Sequence, residues 1–166
     1  MLKICTYPDS ILTTPAKDVQ FPLDSDTSQL INDMWEVVKA NGVGLAAPQV
    51  GVSKKICIVN LSSTEKGKEA KDILLINPRI TFSSQIQHEM VEGCLSFPKE
   101  YYKIIRPANI TVEYQDQNNR SKKLNASKWL SRVIQHEIDH LNGQIFINKG
   151  GLKIDPNQVN TNDIVD

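Results

Sequence analysis

The sequence predicts an α+β fold, with mostly antiparallel sheets packed around a central helix that carries His136, Glu137 and His140. Three observations lead there. Two segments have helical periodicity, several short β-prone runs lie between and around them, and no regular strand–helix–strand alternation links those runs, as a parallel sheet would require. At 166 residues the chain is long enough to bury a core. It reads as one domain over residues 1–148 followed by a short polar tail over 149–166.

The first helix runs through "DTSQLINDMWEVVKANG". Leu30, Met34 and Val37 recur at helical spacing, with Ile31, Trp35 and Val38 alongside. Asp26 and Gln29 have the spacing of a capping box, and Gly42 suits the position just past the helix end. The β-prone runs are "KICIVN", "DILLINP" and "NITVEYQ", set apart by the turn-rich "SSTEKGKEAKD" and "QDQNNRS". A second helix fits "ASKWLSRVIQHEIDHL", with Ser127 as its cap and Gly143 just beyond its end. From Gly150 onward "GGLKIDPNQVNTNDIVD" is polar and turn-prone, which predicts a loosely held tail.

Composition excludes several classes of function. Lysine plus arginine equals aspartate plus glutamate at 19 each, so no charge excess favours direct nucleic-acid binding or an anionic membrane. No apolar run reaches the roughly 18 residues of a membrane span. The opening "MLKICTYPDS" lacks the apolar stretch of a signal peptide. Cys5, Cys57 and Cys94 are too few for a disulfide framework. These features predict a cytoplasmic protein.

The second helix has the layout of a metal platform. With one residue every 100° or so, Leu130, Ile134, Ile138 and Leu141 form an apolar stripe with Val133 at its margin. His136 and His140 lie one turn apart on a neighbouring face, as shared coordination of one ion requires. Glu137 falls inside the apolar stripe, where an unpaired charge costs several kcal/mol. Beside a metal-polarised water it has a purpose: burial makes the carboxylate more basic while the ion makes the water more acidic.

Two histidines leave a catalytic ion short of a ligand. Proteases with this helix take a third histidine six residues on, or a glutamate further along. Here that position is Phe146, and no histidine or glutamate follows His140. The remaining donors are His88 and the three cysteines. Cys57 in "ICIV" and Cys5 in "LKIC" read as small buried hydrophobes, and His88 sits in a polar, exposed-looking stretch. Cys94 lies in "EGCLSFP", between a glycine that permits close backbone approach and a proline that bends the chain away. With two imidazoles it completes a Cys-His-His set that leaves one tetrahedral position for water. Two alternatives stand beside this reading: a metalloprotease acting on internal peptide bonds, and a closed, non-catalytic zinc site with a fourth ligand such as His88. The segment "NGVGLAAPQVG", residues 41–51, presents little side chain, and Gln49 offers an amide donor for a developing oxyanion.

"GVGLAAPQ", "EGCLS" and "QHEIDH" resemble, in that order, the three signature motifs of the peptide deformylase family, over about residues 1–148. The resemblance implies that Cys94, His136 and His140 bind the metal and that Glu137 is the general acid and base. It implies that the Gln49 amide and the Leu95 backbone N–H form an oxyanion hole. Backbone around Val43, Gly44 and Gly93 would pair with the substrate as an extended strand. The substrate methionine would rest near Trp129, Arg132 and Val133, with Arg132 departing from the apolar residue common there. The reaction implied is removal of the formyl group from the N-terminal formylmethionine of nascent polypeptides, with one divalent metal. Ferrous iron is the expected ion, and zinc, nickel or cobalt are its substitutes. Asp139 is expected to pair with Arg106. The tail replaces the C-terminal helix thought to dock many bacterial members on the ribosome, so only transient ribosome proximity is expected. The matching compartment is a bacterial-type cytosol, or a host cytosol for a protein encoded by a bacterial virus.

Overall fold

The computed structural model of the chain describes residues 2–61, 72–159 and 164–165. After a short 3₁₀ turn at Ser10–Thr13 come helix α1 (Ser25–Asn41), strand β1 (Gly44–Ala46), a second 3₁₀ turn (Ala47–Val50) and strand β2 (Ile56–Val59). Strands β3 (Ile73–Ser83), β4 (Gln87–Glu92), β5 (Tyr101–Pro107), β6 (Asn109–Gln115) and β7 (Ser121–Ser127) precede helix α2 (Lys128–Leu141). Strands β8 (Leu152–Ile154) and β9 (Ile164–Val165) follow. One sheet has the order β1-β2-β3-β6-β7, with every pairing antiparallel. The other has the order β8-β5-β4-β9, antiparallel except for β4 with β9. This is the α+β arrangement expected.

Burial on both faces explains the uninterrupted apolar run of β2. Ile56 and Ile58 face α1, packing with Leu30, Ile31, Met34, Val37 and Val38. Cys57 and Val59 face the other way, toward Val133, Ile134, Ile138 and Leu141 of α2. The first sheet is thus sandwiched between the helices, and each fully buried aliphatic side chain contributes about 1.5–3 kcal/mol. Cys57 is fully buried in this layer, as a small hydrophobe.

Three expectations are corrected. The N-cap of α1 is Asp24, not Asp26: its carboxylate accepts the Thr27 N–H at 2.6 Å. Gln29 instead donates to Asp33 one turn on. The tail is not uniformly loose. β8 pairs with β5 from Tyr101↔Ile154 to Lys103↔Leu152, and β9 lies parallel to β4 at Val91 and Glu92. Backbone pairing needs no apolar side chains, so a polar sequence hid it. Strands β4, β5 and β7 add to the three runs read as strands. Their side chains alternate between core and solvent, or are mostly exposed, which dilutes the apolar signal. The "SSTEKGKEAKD" turn lies almost wholly outside the described residues.

Candidate metal centre

α2 begins after Ser127 and ends at Asn142. Gly143 then takes a left-handed φ of 67°, with its N–H on the His140 carbonyl. A side chain there would meet backbone of Thr14 and Pro15 at 2.8 Å, so the glycine both ends the helix and lets the N-terminal segment cross it. The helix is buried from Ser131 through Ile138, and again at His140 and Leu141. Packing against the first sheet fixes its rotation, and with it the direction of both imidazoles.

His136 and His140 stack edge-on, ring centroids 4.9 Å apart. Cys94 enters from the loop after β4, and its Sγ lies 3.3 Å from His140 Nε2. One donor atom from each of the three residues lies within 4.8 Å of the others, and all three side chains are buried. A tight turn sets the cysteine: Phe97 N–H donates to the Cys94 carbonyl at 2.9 Å. Leu95, second in that turn, keeps its N–H outside the turn's own hydrogen bond. Phe146, which stands where a third histidine would be in the protease pattern, is instead core. It packs on Phe97, Tyr102 and the His136 ring.

Glu137 is 2 % exposed. It lies against β1, where a Cβ on Gly44 would come within 2.8 Å of its Cδ and closer still to Oε1. The absence of a side chain at Gly44 therefore makes room for the carboxylate. Gln49 is also buried. Its Oε1 accepts the Ala46 N–H at 2.8 Å, which turns Nε2 toward Cys94 Sγ (3.5 Å) and Ser96 Oγ (3.4 Å). Since the backbone N–H can only donate, that bond fixes the amide with its NH₂ facing the centre. Cys5 N–H on the Gln49 carbonyl, at 2.7 Å, steadies the segment.

The sequence reading missed Glu92. Its carboxylate, with no exposed surface, accepts His136 Nδ1 (2.9 Å), Arg106 Nε (2.6 Å) and Nη2 (2.9 Å), and Arg132 Nη1 (2.8 Å). Such a carboxylate–histidine pair fixes the tautomer and leaves Nε2 available as a metal donor. A buried ligand histidine calls for an acceptor of this kind, which was the one available signal. Arg106 also reaches Asp139 at 2.5 Å, the pairing expected. Arg132 corrects another expectation. Its guanidinium does not face a methionine pocket; it is 2 % exposed and bonds Glu92 and the carbonyls of Ile104 and His88. Val133 and, partly buried, Val43, Met90 and Trp129 do share one apolar cluster. His88 is exposed on β4, so it supplies no fourth ligand, and Cys94, His136 and His140 are the one such donor group among the described residues.

Electrostatics follow from this packing. Burial would raise the Glu92 carboxyl, but hydrogen bonds from Arg106 and His136 outweigh it and hold it well below the usual carboxylate range. Burial would depress His136, but Cys94 and Glu92 override it and raise the ring well above its ordinary value. His140 is driven well down, by burial first and then by the charges of His136 and Arg106. A thiol and two imidazoles whose donor atoms lie within 4.8 Å of one another fit one divalent ion, whose charge would stand in for the proton that Cys94 and Glu92 draw to His136.

A loop cysteine meeting two histidines of a buried helix, with a carboxylate next to the first histidine and an amide donor facing the sulfur, has the make-up of a metal-dependent hydrolase. Comparison with known proteins narrows the class. The polypeptide deformylase family matches residues 1–155. Peptide deformylase of Wolbachia sp. subsp. Brugia malayi is 42 % identical over 153 residues, covering 88 % of this chain and 85 % of the relative. That of Chlorobaculum parvum is 41 % identical over 150 residues, covering 90 % and 79 %. Among solved structures, the peptide deformylase of Ehrlichia chaffeensis superposes with a TM-score of 0.81 at 39 % identity, covering 90 % of this chain and 88 % of that one. A plant peptide deformylase superposes at 0.82 and 35 % identity, covering 89 % and 79 %. The chain belongs to the peptide deformylase family.

Proposed function

We propose that this enzyme removes the N-formyl group from the formylmethionine of nascent polypeptides with Cys94, His136 and His140 holding ferrous iron, for which zinc, nickel or cobalt can substitute. Removal of that formyl group by hydrolysis is the reaction of the family to which the chain belongs. The observation that carries the assignment of roles is the meeting of the three donors within 4.8 Å, beside a buried Glu137. When bound, the divalent ion supplies Lewis acidity and lowers the pKa of coordinated water.

Glu137 takes the proton of the attacking water and returns it to the departing amine, so formate and a free N-terminus result. Its carboxylate is held on that path by the space Gly44 leaves. The charge that develops on the formyl oxygen falls to the Gln49 NH₂ and the Leu95 N–H, each worth about 3–4 kcal/mol in such a role. Among the described residues β1 is an edge strand, paired with β2 alone. An extended substrate would add to its free edge at Gly44, alongside Val43, and pass Gly93, in the manner of strand addition. The methionine side chain would enter the apolar cluster at Val43, Trp129 and Val133. A formyl carbon bears only hydrogen, so a narrow space beside Cys94 would admit it and exclude acetyl.

The substrates are chains emerging from ribosomes, which places the enzyme in a bacterial-type cytosol and transiently near the exit site. Residues 152–154 and 164–165 supply strands, so docking through a C-terminal helix is no part of this reading. The test is formate release by anaerobically purified, metal-analysed protein. Formyl-Met-Ala-Ser should be hydrolysed and its acetyl counterpart left intact. Cleavage of casein without formate release would favour a protease instead.

A further inference from the structure

The guanidinium of Arg132 lies one helical turn before His136, and Arg132, His136 and His140 follow one another at four-residue spacing along α2. Arg132 is 2 % exposed, and its head spans three strand-borne acceptors: Glu92 Oε1 at 2.8 Å, the Ile104 carbonyl at 2.8 Å and the His88 carbonyl at 2.5 Å. Each oxygen of Glu92 then has two donors. Oε1 takes Arg106 Nε and Arg132 Nη1; Oε2 takes Arg106 Nη2 and His136 Nδ1. Arg106 and His136 alone would leave Oε1 with one donor and the carboxylate free to rock about the Arg106 fork. Arg132 comes from the same helix as His136, so it ties Glu92 to the frame of the ligand that Glu92 orients.

We propose that Arg132 is a positioning residue of the metal centre: by locking the Glu92 carboxylate it fixes the plane of the His136 ring and thereby sets metal affinity. It touches neither substrate nor reacting atoms. Its bonds to the Ile104 and His88 carbonyls anchor it to β5 and β4 at once, so α2 and the strand leading to Cys94 are held at one spacing. Partners of metal-bound histidines typically change metal affinity about 10–100-fold when removed. A residue acting one step further out should fall at the lower end. The inference rests on the reading of Cys94, His136 and His140 as the metal ligands.

Cobalt(II) affinity, measured by chelator competition in the whole protein, tests it without reference to turnover. Arg132→Met keeps the length of the side chain and loses its donors; Arg132→Lys keeps the charge and a single donor head. Asp24→Ala, which removes the N-cap of α1 away from the three donors, serves as a control that lowers stability without touching the network. We expect about a tenfold larger cobalt dissociation constant for Arg132→Met, an intermediate value for Arg132→Lys and a wild-type value for Asp24→Ala. Arg132→Met within twofold of wild type overturns the inference, as does an equal loss in Asp24→Ala, which would mark a general effect of stability. If Arg132→Met does not fold, Arg132→Lys is judged by the same two criteria. Wild-type protein that binds no cobalt contradicts the metal-centre reading itself, a result distinct from equal binding by wild type and variant.

Discussion

Glu137 and Glu92 are two buried carboxylates whose surroundings separate them. Glu137 lies against the bare Cα of Gly44, and the proposed reaction has a proton come and go there. Glu92 is saturated by two arginines and a histidine and stays ionised. Glu137→Ala should therefore give a folded, metal-loaded protein whose kcat/KM for formyl-methionyl peptides falls by at least about 10²–10⁴; near-native turnover would remove Glu137 from the chemistry. Glu92→Gln is a test of stability. A carboxyl held well below its unfolded value of 4.5 contributes stability that is fully present above that pH and is lost progressively as pH falls from there toward the lower folded value. Metal-free wild type should thus exceed Glu92→Gln by about 3–5 kcal/mol at pH 7, and the gap should shrink below about pH 4.5 in urea unfolding. A gap that widens on acidification contradicts the account. At this scale the three donors that the fold brings together were legible because two motifs contain them. Glu92 was not, since its place before Gly93 says nothing of where its side chain points. Arg132 was misread for a related reason: a helical wheel gives the face of a long side chain but not the acceptors it reaches.

Elements were legible where one stripe or one whole strand is apolar. α2 matched its expected ends because Ser127 and Gly143 punctuate a buried stripe. α1 was placed correctly along its body, but its cap was assigned two residues late, since Asp24 and Asp26 are chemically alike and only geometry distinguishes them. Asp24→Ala should cost about 1 kcal/mol, read as a lower urea midpoint with unchanged slope, whereas Asp26→Ala should cost little. Equal losses would mean the capping bond to Thr27 is not the source. β4 and β5 carry Glu92 and Arg106 to the centre, yet β4 is mostly exposed and β5 mixes exposed with buried residues, which weakens the signal that would have shown them.

The whole molecule separates folding from catalysis. Two large apolar clusters, one under each helix, hold the first sheet and contain none of the three donors; Cys94 belongs to a third and smaller cluster. A chelator should therefore abolish activity while leaving far-UV circular dichroism intact. The melting temperature should fall only by the binding term, and added iron or cobalt should restore both. Unfolding on chelation would indicate a structural ion. The proposed pairing of a thiolate with ferrous iron would be open to oxygen chemistry, so activity should decay in air and persist longer with a redox-inert ion. The overall α+β class was legible from the order of helices and strands. The pairing of the C-terminal strands was not, because it depends on backbone groups that every residue carries.

X-ray absorption at the metal edge of cobalt- or zinc-loaded protein is the most direct test of the central claim. The account predicts one sulfur scatterer at about 2.3 Å and two imidazole nitrogens at about 2.0–2.1 Å, completed by a light atom that exchanges with added formate. Loss of the sulfur shell only in Cys94→Ser would agree with it. A wild-type spectrum with no sulfur, or with every position filled by protein, would contradict it.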